Sequence, residues 1–122
     1  MSKKRLILII ANNEDDIKTL RILFSKTILW TIYFIRTGKE GVREAQESKP
    51  DIVVADIQLP DIDCFEACRR IKAVDNGKIK VILITDLIDT QDAIEARRAG
   101  ADAYIMKTKD YDRLFEKINE YV

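Results

Sequence analysis

Residues 50–72, "PDIVVADIQLPDIDCFEACRRIK", carry the pattern that decides the fold. The run 52–55 is apolar at every position, and Asp56 follows directly at its end. A strand that does not alternate apolar and polar residues is typical of a parallel sheet covered on both faces. From residue 63 the apolar positions recur at helical spacing. The stretch therefore predicts a buried strand that brings a carboxylate to its tip, followed by a helix.

The same alternation extends along the chain in both directions. Segments with strand character are 5–11, 31–36, 51–56, 80–85 and 103–107, and segments with helical character are 14–28, 39–49, 63–74, 90–100 and 110–122. Apolar stripes mark the first and last helices, at Ile17, Leu20, Phe24 and Ile28 and at Leu114, Ile118 and Val122. The order (βα)5 predicts an α/β fold with a doubly wound five-stranded parallel sheet and right-handed crossovers.

Length and composition are typical of one compact domain over residues 1–122. Hydrophobic residues make up 47% and charged residues 34%, and 21 basic side chains balance 21 acidic ones. A nucleic-acid-binding domain would normally carry a basic excess, whereas here the only basic cluster is 3–5. The apolar runs are too short to cross a bilayer and no signal-peptide pattern follows the N-terminus. We expect a cytoplasmic protein that binds neither nucleic acid nor membrane through this domain.

The chain has two cysteines and no histidine. Cys64 and Cys68 lie four residues apart, which does not match a redox CxxC pair, and two thiols alone cannot complete a zinc site. They are expected to be small core side chains. Without histidine there is no Ser-His-Asp triad and no phosphohistidine, so phosphoryl chemistry here would need a carboxylate.

Ligand sites in doubly wound sheets lie at the carboxyl ends of the strands. The predicted strand tips carry Asn12 and Asn13, Asp56, Thr85 with Asp86, and Lys107. One carboxylate, one hydroxyl and one ammonium group are therefore expected to meet in one cleft.

Three motifs in this order resemble the receiver domain of two-component response regulators: residues 50–72, "VILITDLID" at 81–89, and "AGADAYIMK" at 99–107. The similarity runs over the whole chain. It implies a flavodoxin-like sheet with strand order 2-1-3-4-5.

The resemblance also implies roles for individual residues. Asp56 would be the phospho-acceptor, Thr85 and Lys107 would contact the phosphoryl group, and Tyr104 would be the switch aromatic. A bound Mg2+ would be held by Asn13, Asp56 and the backbone of Gln58. Such roles agree with the chemistry, because a carboxylate can attack a phosphoryl donor and cations stabilise the charge that develops. The implied partners are a histidine kinase or phosphotransfer protein, a downstream protein, and a second copy of the chain.

The first strand tip departs from that family pattern. In "NNEDDI", residues 12–17, Asn12 and Asn13 occupy the positions of an acidic pair. A frame shifted to use Glu14 and Asp15 would need an insertion and would displace the helix stripe. Amide oxygens are weaker ligands for Mg2+ than carboxylates. The two amides, Asp56 and Lys107 sum to zero charge, so we expect weak Mg2+ binding and a direct Lys107–Asp56 ion pair.

Three further departures have local consequences. Asp86 replaces a small residue after Thr85 and would either repel a phosphoryl group or supply a metal ligand. Thr108 replaces a proline, which predicts an ordinary trans peptide after Lys107. Cys64 replaces a glycine, which predicts a differently shaped turn.

Ordinary structural interpretations remain beside the functional ones. The acids at 14–16 are explained by the helix macrodipole and by capping. Asp56 could cap the next turn, Lys107 could be a solvated surface residue, and Tyr104 could be an ordinary strand aromatic.

Three classes of function follow from the sequence. The first is a receiver module, either phosphorylated on Asp56 with weakened metal support or signalling by protein binding without phosphorylation. The second is a module for interaction or dimerisation through its fourth helix, fifth strand and fifth helix. The third is an enzyme that binds a nucleotide or flavin, and the absence of GxGxxG and GxxxxGK[ST] motifs argues against it.

Overall fold

The computed structural model describes residues 5–121, in which strands and helices alternate. The elements are β1 Arg5–Ile10, α1 Glu14–Phe24, β2 Trp30–Ile35, α2 Gly38–Ser48, β3 Ile52–Asp56, α3 Cys64–Lys72, β4 Lys80–Thr85, α4 Thr90–Arg98, β5 Ala103–Met106 and α5 Asp112–Glu120. A short 3-10 helix at Val74–Gly77 connects α3 to β4. The strands form one parallel sheet in the order β2-β1-β3-β4-β5, which confirms the predicted fold.

The register of the sheet places the strand tips side by side. Ile10 of β1 lies opposite Ala55 of β3, and Asp56 lies opposite Ile84 of β4. Because all strands are parallel, their carboxyl ends meet at one edge of the sheet. The residues that follow these ends can therefore contact one another.

Two apolar cores lie on the two faces of the sheet. On one face Ile7 and Ile9 of β1 pack with residues of α1 and α5. On the other face Leu8 and Ile10 pack with residues of α2, α3 and α4. Every residue of β3 is buried, which explains why this strand is apolar at successive positions.

Several helices begin with a side chain that accepts a hydrogen bond from a backbone N–H group. Asn13 caps α1 by accepting from the N–H of Asp16 at 2.9 Å, and Asp63 and Asp89 cap α3 and α4. The acids at 14–16 lie in the first turn of α1, as predicted. The start of α5 differs, because Tyr111 precedes it in the left-handed conformation with φ 54°.

A few sequence-based boundaries are wrong. The first helix ends at Phe24, so Ile28 is not on its buried stripe and is 83% exposed. The last helix begins at Asp112, and its predicted stripe is confirmed for Leu114 and Ile118, which are buried. Val122 lies outside the described residues. Within 5–121, no helix has the length and apolar character needed to cross a membrane.

Candidate functional site

Asp56 is the last residue of β3 and is only 5% exposed. Its Oδ1 atom accepts a hydrogen bond from the N–H of Gln58 at 2.9 Å. Its Oδ2 atom lies 2.6 Å from Lys107 Nζ. Both carboxylate oxygens therefore have a partner, and the acid is held at the carboxyl edge of the sheet.

Lys107 directly follows β5 and reaches back to the same edge. Its Nζ atom also donates to Asp16 Oδ2 at 2.8 Å, and Asp86 Oδ1 is 3.6 Å away. The expected direct pairing with Asp56 is confirmed, and the side chain is only 9% exposed. Burial disfavours the charged ammonium, but the hydrogen bonds that it donates to Asp16 and Asp56 outweigh this effect and raise the pKa of Lys107. Lys107 therefore remains a cation and is not a solvated surface residue.

Two residues of this cluster were missed by the sequence analysis. Asp16 binds Lys107 with one oxygen and accepts a hydrogen bond from the Tyr111 hydroxyl at 2.8 Å with the other. Helix position could have identified Asp16, because it lies four residues before Leu20 and so on the buried side of α1. Tyr111 carried no comparable signal, because its place depends on the turn before α5.

The charge predicted for the cleft is wrong. Asp16, Asp56 and Asp86 all lie within 4 Å of Lys107 Nζ, at 2.8, 2.6 and 3.6 Å. Three carboxylates and one ammonium give a net charge of −2 around Lys107, whereas the four residues considered from the sequence sum to zero because Asp16 and Asp86 were not counted. Negative charge missing from the tip of β1 is thus restored by side chains from α1 and from the β4–α4 loop.

Asn12 and Asn13 line a cleft of about 520 Å³ together with Asp56, Gln58 and Lys107. The amide oxygen of Asn13 already accepts the N–H of Asp16, and both oxygens of Asp56 are engaged. Among residues 5–121 no group of three or more His, Cys, Asp or Glu side chains is arranged to hold a metal ion. This donor set fits Mg2+ poorly, because that ion is usually bound through one or two carboxylates, and here the Asp56 carboxylate is paired with the Lys107 ammonium.

Thr85 ends β4 and is 5% exposed. Its hydroxyl donates to the carbonyl of Leu87 at 3.0 Å, so it is bonded within its own loop. Tyr104 of β5 is half-buried, and its hydroxyl accepts the N–H of Asp89 at 3.2 Å. Tyr104 is therefore tied to the residue that caps α4. The proposed contact and switch roles of Thr85 and Tyr104 stay predictions.

The remaining departures occupy defined positions. Asp86 has a side chain that is 80% exposed at the mouth of the cleft. The Lys107–Thr108 peptide is trans, as predicted. Cys64 is the first residue of α3 and is buried, as is Cys68. Burial raises the pKa of Cys64 to about 12 and that of Cys68 to about 11, so both are neutral core thiols.

This cluster lies at the edge of a five-stranded sheet of the predicted order. A comparison with known families identifies the domain. The model of the "Response regulator receiver domain" family matches residues 7–119. The chain therefore belongs to this family and is a receiver domain of the kind found in two-component response regulators.

Known relatives are similar over much of the chain. "Transcriptional regulatory protein AfsQ1" of Streptomyces coelicolor is 33% identical over 100 residues, which are 82% of this chain and 44% of that protein. "Response regulator protein VraR" of Staphylococcus aureus is 40% identical over 72 residues, which are 59% of this chain and 34% of that protein. The chain thus spans less than half the length of these two relatives.

A solved receiver has the same architecture. The CheY-like response regulator receiver domain of Methanospirillum hungatei matches with a TM-score of 0.82 and 28% identity. The match covers 97% of this chain and 93% of that one. The two chains therefore share one fold over nearly all of their length.

Proposed function

We propose that this receiver accepts a phosphoryl group on Asp56 from a histidine kinase or phosphotransfer protein, with weak support from Mg2+. The observation that carries the proposal is the placement of Asp56. It is a buried carboxylate at the tip of the central strand β3, and its Oδ2 atom lies 2.6 Å from an ammonium group. A nucleophile and the cation needed to stabilise its reaction are thus already adjacent.

The transfer step balances with the residues present and a donor of the phosphohistidine class. An oxygen of Asp56 attacks phosphorus, and the bond from phosphorus to the donor nitrogen breaks. The electron pair of that bond goes to the donor imidazole, which takes up a proton. Lys107 would then neutralise a phosphoryl oxygen, and the Thr85 hydroxyl could donate to another after leaving the carbonyl of Leu87.

Two features of the site weaken this reaction. Amides stand at the strand tip where carboxylates would attract Mg2+. The exposed Asp86 carboxylate adds negative charge at the entrance, where a phosphodonor must approach. We therefore expect slow and incomplete modification.

A second function is a protein-binding or dimerisation module that does not need phosphorylation. Large apolar side chains are exposed around α4: Leu87 at 75%, Ile88 at 48% and Ile94 at 41%. Their position next to Tyr104 and Asp89 favours a partner surface on this side of the domain. In this alternative the Asp56–Lys107 ion pair is structural and holds the domain in a single conformation.

The deciding experiment incubates the protein with Mg2+ and acetyl phosphate and measures the intact mass. We expect a slowly formed phosphoryl adduct that is absent in Asp56→Asn. Restoring the strand-tip acids with Asn12→Asp/Asn13→Asp should increase the rate, because two carboxylates are regained. No adduct in the wild-type chain, together with a normal adduct in the restored variant, would overturn phosphorylation and leave the alternative.

The alternative has its own measurement. If the module works without phosphorylation, Asp56→Asn will bind a partner or itself as the wild-type chain does. Sedimentation at several concentrations measures self-association, and Ile94→Glu tests the α4 surface without changing the Asp56 cleft. Self-association that requires an intact Asp56 and a phosphodonor would contradict the alternative.

A further inference from the structure

Asp16 is the centre of a hydrogen-bond network that joins the start of α1, the residue after β5 and the turn before α5. Its Oδ2 atom accepts from Lys107 Nζ at 2.8 Å and its Oδ1 atom accepts from the Tyr111 hydroxyl at 2.8 Å. Its backbone N–H donates to Asn13 at 2.9 Å. The carboxylate and the backbone of Asp16 are therefore both fixed. Lys107 Nζ also donates to Asp56 Oδ2 at 2.6 Å, so the network reaches Asp56.

The neighbouring acids of α1 do not share this arrangement. Asp15 is exposed. Glu14 forms an ion pair with Arg36 at 2.6 Å, in which both side chains are more than half exposed. All three acids lie in the first turn of the helix. Helix-terminal electrostatics therefore explain Glu14 and Asp15, whereas Asp16 has specific buried partners that the helix dipole does not require.

The backbone of Tyr111 is strained, although its side chain is well packed. The residue is 4% exposed and takes the left-handed conformation with φ 54° and ψ 32°. A bulky residue rarely adopts this conformation, and it persists only where the surroundings fix it. Burial, followed by the hydrogen bond to Asp16, raises the pKa of Tyr111, so its hydroxyl stays a donor. The backbone of the β5–α5 turn thus holds a hydroxyl against Asp16.

We propose that Asp16 is a positioning residue for the chemistry of Asp56, held by Tyr111, and that it replaces the strand-tip carboxylates lost at Asn12 and Asn13. It anchors the Lys107 ammonium beside Asp56. Asn13 contributes as the helix cap that fixes the backbone of Asp16. Asn13, which stands at one position of the acidic pair, therefore also fixes Asp16, the residue that replaces that pair. The effect of Asp16 on phosphoryl transfer rests on the function proposed above, whereas its effect on Lys107 does not.

Trace acetylation measures the anchoring directly in the unphosphorylated protein. A small amount of acetic anhydride labels lysines, and peptide masses give the labelling of Lys107 relative to the exposed Lys109 of the same molecule. Asp16→Asn should raise this ratio roughly three- to tenfold, because a charge-assisted hydrogen bond to the ammonium is lost. Tyr111→Phe should raise it less, because the ion pair remains.

Asp15→Asn is the matched control, since it removes the same charge from the same turn at an exposed position. Its labelling ratio should equal that of the wild-type chain. An equal ratio in Asp16→Asn and Asp15→Asn would overturn the proposal. The double variant Asn12→Asp/Asp16→Asn returns a carboxylate to the strand tip and should restore protection of Lys107. If Lys107 stays as reactive in this double variant as in Asp16→Asn, the result would contradict the proposal that Asp16 replaces a strand-tip carboxylate.

Phosphodonor kinetics complete the test and separate the two proposals. If the wild-type chain forms an adduct, Asp16→Asn should slow it roughly threefold or more and Asp15→Asn should not. An unchanged rate in Asp16→Asn would overturn the positioning role. If the wild-type chain forms no adduct, the phosphorylation proposal fails. The labelling ratios then still decide whether Asp16 anchors Lys107.

Discussion

The two ends of the sheet each carry a lysine and an aspartate, and the pairs differ in what surrounds them. At the amino end Lys72 donates to Asp102 at 2.9 Å and to the carbonyls of Gly77 and Ile79. Asp102 also accepts the N–H of Val81. At the carboxyl end Lys107 has three carboxylates around it. At the amino end, backbone groups satisfy the remaining hydrogen bonds of Lys72 and Asp102. At the carboxyl end, the three carboxylates around Lys107 leave an excess of negative charge.

This difference distinguishes a structural ion pair from a site. An ion pair is structural when the remaining donors and acceptors are satisfied by the surrounding backbone, as they are around the partly exposed Lys72–Asp102 pair. Carboxylates gathered around one cation repel one another, and such repulsion is typical of functional centres. The carboxyl-end cluster therefore depends on a single ammonium, and the predictions below test that dependence.

The largest effect on stability is expected from Lys107→Met, with Lys72→Met as its counterpart. Loss of Lys107 leaves three carboxylates without a cation and should lower the free energy of unfolding by about 2–4 kcal/mol at neutral pH. Urea unfolding at neutral pH measures both variants.

Lys72→Met should also destabilise, but by less, since only one carboxylate loses its cation there and Lys80 remains 3.8 Å from Asp102. An equal loss in both variants would remove the distinction between the two clusters.

A second comparison removes one acid from each cluster. Asp102→Asn should cost about 1–3 kcal/mol of unfolding free energy, because a charge-assisted hydrogen-bonded network is broken. Asp56→Asn should change it by less than about 1 kcal/mol, since the lost ion pair is offset by reduced repulsion from Asp16. Thermal unfolding of the two isosteric variants decides this. A larger loss in Asp56→Asn would show that Asp56 is chiefly structural.

A smaller effect is expected at the helix cap that supports the carboxyl-end cluster. Asn13→Ala should lower the unfolding free energy by about 1 kcal/mol, because the cap of α1 is lost. Asn13→Asp should leave stability nearly unchanged, since aspartate caps as well as asparagine does. Denaturant unfolding compares the two. Equal losses would mean that capping is not what Asn13 contributes.

The smallest effect at neutral pH is expected for the buried thiols, whose influence on stability appears in alkaline solution. Folding raises the pKa of Cys64 and Cys68 above the ordinary value of 9.0, to about 12 and about 11. Their contribution to stability is complete below that ordinary value and is lost as the pH rises above it. The variant Cys64→Ala/Cys68→Ala should therefore show a flatter decline in urea unfolding above pH 9. An equally steep decline would assign the alkaline loss to other groups, such as Lys107 and Tyr111, whose pKa values are also raised.

Much of the fold and part of the site could be predicted from the sequence. The fully apolar run before Asp56 predicted a central strand, and the strand tips predicted that Asp56, Thr85 and Lys107 would meet. The charge of the cleft could not be obtained this way. Asp16 was assigned to helix capping, because its place in the first turn explained it sufficiently, and its contact with Lys107 spans 91 residues.

The sequence by itself determined the order of strands and helices, the carboxylate of Asp56 at the tip of the third strand, and the two amides of Asn12 and Asn13 at the tip of the first. These depend on local periodicity and on motifs, which adjacent residues specify. Only the tertiary structure decided that Asp16 and Tyr111 complete the environment of Lys107. Their side chains meet because α1 and the β5–α5 turn pack at the same edge of the sheet, and no local pattern encodes a contact between such distant segments.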